Sequence, residues 1–159
     1  MEYMNLNGTT FATGKAGLAA GTTTTSTVAN ATNFCIDGKA YLKAIATNAA
    51  TPTLDAVTGL AFPSITANQG TVVVYGLDKD GAIKCSQGTI EPLDVQGNFT
   101  KQPNFPTTIG TVCPIGYLVL KGGATLVGTF TFGTNNLSGV TGMTYSFTDV
   151  LVLPSRPQP

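Results

Sequence analysis

The sequence predicts an all-β fold: an antiparallel β-sandwich, jelly-roll-like, with an extended N-terminal arm. Thr, a β-branched residue that favours strands, is the commonest residue, at 27 of 159. Charged residues make up only 10% of the chain, against roughly a quarter in an average domain, so charged helix formers are scarce. Short β-prone runs alternate with turn residues, and no long crossover helix is evident, which argues against a parallel α/β sheet.

The composition divides the chain into three parts. Residues 1–33 are rich in small residues and include the Thr-rich run 22–27. Such a segment gains little by folding alone, so we interpret it as an N-terminal arm or as an edge strand that docks on the body or on a neighbouring subunit. Residues 34–153 form the predicted β-sandwich body. Residues 154–159 have Pro at three of six positions and predict an extended, Pro-rich C-terminal tail.

A hairpin is predicted at the start of the body. Residues 33–36 and 39–44 are β-prone and flank Asp37-Gly38. A type I′ turn needs positive φ at both central positions, which an Asp-Gly pair accepts. Residues 47–59 are rich in Asn, Ala, Thr, Pro and Asp, and we expect a loop there.

Further strands are predicted in the rest of the body. The Val-rich run 71–77 indicates a strand of a buried sheet, and residues 82–90 return as its partner after the turn Asp78-Lys79-Asp80-Gly81. The strand over 112–120 contains Pro114 and Gly116, which favour an edge or a bulge at its start. The last two predicted strands span 125–132 and 143–153.

The charge balance excludes several classes of function. Eight Lys and Arg residues offset eight Asp and Glu residues, so there is no basic surplus for nucleic-acid binding. The longest apolar run is far shorter than a membrane span, and the N-terminus lacks the pattern of a signal peptide. The chain has no His, which removes the commonest agent of proton transfer and the imidazole ligands of zinc.

No constellation of residues predicts an enzyme. Cys35, Cys85 and Cys113 are an odd set at irregular spacing without a His base, and we interpret them as small buried residues in a reducing compartment. Asp78 and Asp80 begin like a calcium loop but lack its later ligands, which favours a hairpin turn. The carboxylates expected to be solvated, mostly in turns, are Asp37, Asp55, Asp78, Asp80, Glu91, Asp94 and Asp149. We therefore predict no catalytic residue, no cofactor site and no metal ligand.

Several segments resemble small structural proteins of tailed-bacteriophage virions. They cover roughly residues 34–158 and are IDGKAYLKA (36–44), AATPT (49–53), ITANQG (65–70), VVYGLD (73–78) and DVLVLPSRPQ (149–158). Within that class, the chain is most similar to a capsid cement, or head decoration, protein. This resemblance implies a β-rich, non-enzymatic protein made in the bacterial cytoplasm and bound to the capsid exterior. Its implied partners are the major capsid protein and further copies of itself, a homotrimer being slightly favoured over a homodimer.

Two alternatives remain open at this point. A tail-fibre or baseplate component would bind host-surface glycans, and Tyr3, Tyr41 or Tyr145 would stack on sugars. An accessory domain of a cytosolic enzyme is the second alternative, for which a free monomer without particle association is expected. For the cement protein, we expect the arm to be dispensable for folding, so that deletion of residues 1–30 leaves a folded body that no longer decorates heads.

Overall fold

The computed structural model describes residues 10–107 and 110–157, and within them every regular element is a strand. The eleven strands are β1 (Phe11–Ala12), β2 (Leu18–Ala20), β3 (Thr25–Val28), β4 (Thr32–Ile36), β5 (Lys39–Lys43), β6 (Ala46–Ala50), β7 (Gln69–Leu77), β8 (Ile83–Gln87), β9 (Glu91–Pro92), β10 (Cys113–Gly122) and β11 (Met143–Asp149). No helix in the described part of the chain is long and apolar enough to cross a bilayer.

The strands form three sheets. The central sheet has five strands in the order β11-β10-β7-β8, and β9 also pairs with β7. Two smaller sheets have the orders β1-β4-β5 and β2-β3-β6. Every paired ladder is antiparallel. The prediction of an all-β, antiparallel fold is therefore confirmed, and packed sheets of this kind are compatible with a sandwich.

The central sheet is buried on both faces. Side chains alternate between the faces of a strand, and along β7 Val73, Tyr75 and Leu77 join the main core, whereas Val72 and Val74 join a second apolar cluster. The main core also contains Phe34 of β4 and buried side chains of β1 to β3. The second cluster is covered by Phe99, Phe105, Val150 and Leu153. The Val-rich run thus lies in a buried sheet, as predicted.

A β-bulge redirects the side chains of β10. The pairing register between β10 and β7 shifts between Pro114 and Gly116. Before the shift the odd-numbered Cys113 faces the main core, and after it the even-numbered Leu118 does so, while Tyr117 faces the second cluster. One extra residue reverses the alternation, which confirms the predicted bulge.

The predicted hairpin forms between β4 and β5. Asp37 and Gly38 have φ angles of 50° and 77°, and Ile36 pairs with Lys39 across the turn. A type I′ turn requires this left-handed backbone at both central positions. The turn Asp78–Gly81 between β7 and β8 also forms, since Asp78 Oδ1 accepts hydrogen bonds from the N–H groups of Asp80 and Ala82 at 3.0 and 2.9 Å.

Residues 10–33, the described part of the predicted arm or edge strand, carry β1, β2 and β3. Ala12, Ala16 and Val28 are at most 2% exposed and lie in the main core. Ser26 Oγ is hydrogen-bonded to the hydroxyl of Tyr75 at 2.9 Å. Deletion of residues 1–30 would therefore remove part of the core, contrary to our expectation that the body folds without them. Residues 1–9 lie outside the described residues.

Two local predictions are wrong. Residues 125–132 form no strand: Gly128 has a φ of 79°, which interrupts an extended backbone, and only Phe130 pairs, in an isolated bridge to Ile65. Leu126 and Phe132 are buried from this loop, so core packing explains the apolar pattern that suggested a strand. The predicted loop 47–59 begins with most of β6, because Ala49 and Ala50 pair with Ser26 and Thr25 of β3.

The described part of the Pro-rich tail lies against the body. The side-chain amide of Gln102 donates a hydrogen bond to the carbonyl of Pro157 at 2.7 Å. Pro157 is buried. The tail and the connection before β10 thus contact each other beside the second apolar cluster.

Candidate functional site

A loop after β6 presents large apolar side chains to solvent. Within residues 54–61, Leu54, Val57 and Leu60 are 55%, 44% and 69% exposed. We name this segment the Asp55 loop, after its one acidic residue. Scattered exposed apolar residues are ordinary, but several gathered on one surface are typical of a protein interaction site.

The Asp55 carboxylate holds this loop in one conformation. Its Oδ1 atom accepts hydrogen bonds from the N–H groups of Val57 at 2.8 Å and Thr58 at 3.1 Å, and Oδ2 accepts one from Gln87 at 2.7 Å. The backbone N–H of Asp55 donates to the carbonyl of Leu60 at 2.8 Å. These bonds join the loop to itself and to β8, so its apolar side chains stand on a fixed backbone.

Asp55 differs from its prediction as a solvated turn residue. Its side chain is only 5% exposed, because the loop folds back on β8 and the N–H of Ala56 donates to the carbonyl of Cys85 at 2.8 Å. A local turn is readable from an Asp followed by Thr and Gly. The hydrogen bond from Gln87, 32 residues away, has no pattern in the sequence that would predict it.

A cleft of about 500 Å³ lies beside the Asp55 loop and shares Ala56 with it. We name it the turn cleft, because the β4–β5 and β7–β8 turns both line it. Its lining residues are Ile36, Asp37, Lys39, Tyr41, Ala56, Asp78, Lys79, Asp80, Lys84, Thr111 and Val112. Three Asp and three Lys residues balance each other there, so the cleft has no net charge.

The charges of the turn cleft largely compensate one another. Lys79 Nζ lies 2.8 Å from Asp80 Oδ1, and Lys84 Nζ lies 3.5 Å from Asp78 Oδ2. The hydrogen bond and charge of Asp80 raise the pKa of Lys79, which keeps that ammonium protonated. Exposed pairs of this kind contribute little stability. The described residues contain no group of three His, Cys, Asp or Glu side chains placed to hold a metal ion.

Of the three Tyr residues considered for sugar stacking, the structure describes two, Tyr41 and Tyr145, and these line different clefts. Tyr41 is half-buried, lines the turn cleft and stacks on Phe34 with ring centroids 5.6 Å apart. Tyr145 lies on β11, is 39% exposed and contacts Phe147 edge to face at 6.2 Å. Tyr3 lies outside the described residues. Of the described two, only Tyr41 lines a cleft of this size.

The three Cys residues are free thiols, and the interpretation that they are buried is confirmed for Cys85 and Cys113 but not for Cys35. Cys85 and Cys113 are buried and Cys35 is half-buried. Burial raises the pKa of the Cys113 thiol to about 11. Burial and, next, the charge of Asp55 raise the pKa of Cys85 well above its ordinary value. Both buried thiols are therefore protonated near neutral pH, and a protonated thiol is a poor nucleophile.

Two further carboxylates are held by hydrogen bonds. Glu91, expected to be solvated, is only 7% exposed and lies 3.2 Å from Lys101 Nζ. Hydrogen bonding by Thr89 and then by Lys101 lowers its pKa. The backbone N–H of Asn98 donates to Asp94 at 2.8 Å and lowers the pKa of that carboxyl. These groups are ionised at neutral pH and stabilise loops.

Comparison of the chain with protein-family models, with curated proteins and with solved structures finds no match. The resemblance to virion structural proteins therefore rests on the sequence segments quoted above and stays a prediction.

Proposed function

We propose that the chain is a structural virion protein that binds the outside of a phage capsid and stabilises contacts between major capsid subunits. The proposal combines the sequence resemblance with one structural observation, the rigid Asp55 loop and its exposed apolar side chains. In this proposal the protein is not an enzyme and needs no cofactor. Its partners are the major capsid protein and further copies of itself.

The Asp55 loop is suited to a permanent protein contact. A contact segment that is already fixed loses little conformational entropy when it binds. Leu54, Val57 and Leu60 supply apolar area, and the Asp55 carboxylate of the same loop is satisfied by N–H groups of the same chain. The loop therefore offers apolar contact without a buried, unpaired charge.

The low and balanced charge of the chain supports the same proposal. Its charged side chains are few and lie largely in turns, so neutral Thr, Asn, Ala and Gly surfaces separate them. Contacts made by such surfaces depend weakly on salt, whereas contacts between exposed charges are screened. A capsid protein of this kind is expected to stay bound at high ionic strength.

The jelly-roll-like sandwich and the extended N-terminal arm belong to this proposal as finer predictions. Because Ala12 and Val28 lie in the core, the test of the arm is deletion of residues 1–9 rather than 1–30. We expect this shorter deletion to lower occupancy on heads, and urea denaturation of the deleted chain shows whether its body is still folded. Unchanged occupancy would contradict a role of these residues in binding.

Co-sedimentation with DNA-filled heads tests the proposed contact. We expect Leu60→Ser to weaken binding by about tenfold or more, as loss of a central apolar anchor does. Val95→Ser is the matched control, because Val95 is 93% exposed and lies outside the Asp55 loop. Equal binding of both variants, or no binding of the unaltered chain, would overturn the proposal.

The turn cleft favours a second candidate function, binding of a host-surface glycan by a tail-fibre or baseplate component. Tyr41 is fixed against Phe34 and is surrounded by Asp and Lys side chains, a combination that suits a neutral, hydroxyl-rich ligand. Under this alternative, Tyr41→Ala removes binding to host cells and Leu60→Ser does not. For a cement protein, we expect Leu60→Ser to weaken binding to heads and Tyr41→Ala to leave it unchanged.

A further inference from the structure

The strand β11 forms one edge of the central sheet. It pairs with β10 over its whole length, from Gly116↔Asp149 to Gly122↔Met143. Within residues 10–107 and 110–157, no strand pairs with its other side. An edge strand presents N–H and C=O groups that can pair with another chain.

This edge lacks the usual protection against such pairing. Residues 144–148 contain no charge, no Pro and no Gly. The nearest charge within the strand, Asp149, accepts a hydrogen bond from the N–H of Leu18 at 2.9 Å and is thus engaged within its own chain. Lys121, opposite Thr144, belongs to the inner strand β10, and its ammonium lies over the Phe99 ring. Charged side chains, Pro and bulges are the devices that normally block edges.

The other long edges are protected. The edge of β5 carries Lys39 and Lys43, and β8 carries Lys84 and is joined to the Asp55 loop through Gln87. The edge of β6 is interrupted by Asn48, whose φ of 54° departs from an extended backbone. Among the described edges of at least five residues, β11 is thus the one left extended and neutral.

The sequence of β11 is nearly symmetric about Ser146. It reads Thr144-Tyr145-Ser146-Phe147-Thr148. If two copies pair antiparallel about a two-fold axis at Ser146, Tyr145 lies opposite Phe147 of the second copy, and Thr144 lies opposite Thr148. Aromatic pairs and Thr pairs are favourable partners across antiparallel strands. An isologous interface requires this kind of self-complementarity.

The aromatic residues of β11 already extend from the core towards this edge. Phe147 contacts Tyr75 at 5.8 Å, and Tyr145 contacts Phe147 at 6.2 Å, both edge to face. Tyr145 is 39% exposed. A second copy in the two-fold register would place its Phe147 against this exposed ring and continue the row of aromatic contacts.

We propose that β11 is a dimerisation edge, which pairs antiparallel with β11 of a second copy about a two-fold axis at Ser146 and joins two central sheets into one. The occupant is a second copy because the symmetric sequence matches itself. This interface goes beyond the proposed capsid contact and does not depend on it, since the Asp55 loop is a separate segment. It favours the homodimer over the homotrimer that the sequence resemblance slightly favoured.

The oligomeric state of the purified full chain tests this interface. By sedimentation velocity with light scattering, we expect a dimer for the unaltered chain. Ser146→Lys and Ser146→Asp each place like charges opposite each other at the two-fold axis, and we expect the dimer dissociation constant to rise at least tenfold. Ser138→Lys, at an exposed loop position, is the matched control and is expected to stay dimeric.

Mixing the two charge variants provides the sharper test. Because the axis places residue 146 opposite itself, Ser146→Lys and Ser146→Asp chains are expected to form a mixed dimer although each alone is monomeric. Circular dichroism checks that each variant is folded. A monomeric or trimeric unaltered chain, a Ser146→Lys variant that stays dimeric, or a mixture that does not associate would overturn the proposal. Binding of each variant to heads is measured separately, so that failure of the dimer interface can be distinguished from failure of the proposed capsid contact.

Discussion

The central sheet buries its large apolar side chains, whereas the Asp55 loop exposes them to solvent. In β7 and β10, the residues Val73, Leu118 and Val119 are at most 2% exposed, whereas Leu54 and Leu60 of the loop are more than half exposed. Both regions have fixed backbones, one through strand pairing and the other through the Asp55 carboxylate. This difference indicates that stability resides in the central sheet and that the fixed loop is available for a partner.

The largest expected effect is loss of a core side chain. Leu118→Ala removes apolar contacts from a site that is fully buried in the main core, and we expect it to lower the free energy of unfolding by about 2–5 kcal/mol. The matched control is Leu42→Ala, because Leu42 is 64% exposed on β5, and its effect should stay within about 0.5 kcal/mol. Urea denaturation measures both. Similar losses would contradict the assigned difference between core and surface.

A smaller effect is expected where the two regions meet. Asp55→Ala leaves the partly buried N–H of Gln87 and the N–H groups of Val57 and Thr58 without their acceptor. We expect the free energy of unfolding to fall by about 2–3 kcal/mol, since hydrogen bonds to charged groups each contribute roughly 1.5–3 kcal/mol.

Hydrogen exchange gives the matching readout for this variant. The amide of Gln87 should exchange much faster in Asp55→Ala than in Asp78→Ala, whose carboxylate holds only the exposed β7–β8 turn. Equal protection of Gln87 in both variants would show that Asp55 does not hold the loop against β8.

The smallest expected effect is chemical rather than energetic. With a pKa of about 11, Cys113 is a thiolate in only roughly one molecule in a thousand at pH 8. We expect a thiol reagent to modify Cys113 of the folded chain very slowly at pH 8. The rate should rise as pH approaches 11, because the thiolate is the reactive form. Rapid modification of all three thiols before unfolding would contradict the burial of Cys85 and Cys113.

Local patterns predicted the parts of the fold that local chemistry decides. Asp37-Gly38 specifies its turn through backbone conformation, and the Val run of β7 specifies a strand through burial on both faces. The strand predicted over residues 125–132 is wrong because Leu126 and Phe132 bury their side chains from a loop. Apolar spacing alone therefore did not distinguish a loop from a strand.

The site depends on contacts that are distant in sequence. The Asp55 loop is joined to β8 through the N–H of Gln87, and the turn cleft arises where two hairpin turns meet beside Thr111 and Val112. The sequence predicts a turn at Asp55 but contains no pattern that predicts its burial. It marks Tyr41 as an aromatic, but its stacking on Phe34 is visible only once β4 and β5 are paired.

The most direct test of the proposed function is the position of the chain on virions. Virions are labelled with an antibody fragment against this chain and imaged by electron microscopy. We predict label over the DNA-filled head, at a copy number that matches the two-fold or three-fold junctions between capsid subunits. Label confined to the tail tip, or virions without label, would contradict the proposal that this chain is a capsid cement protein.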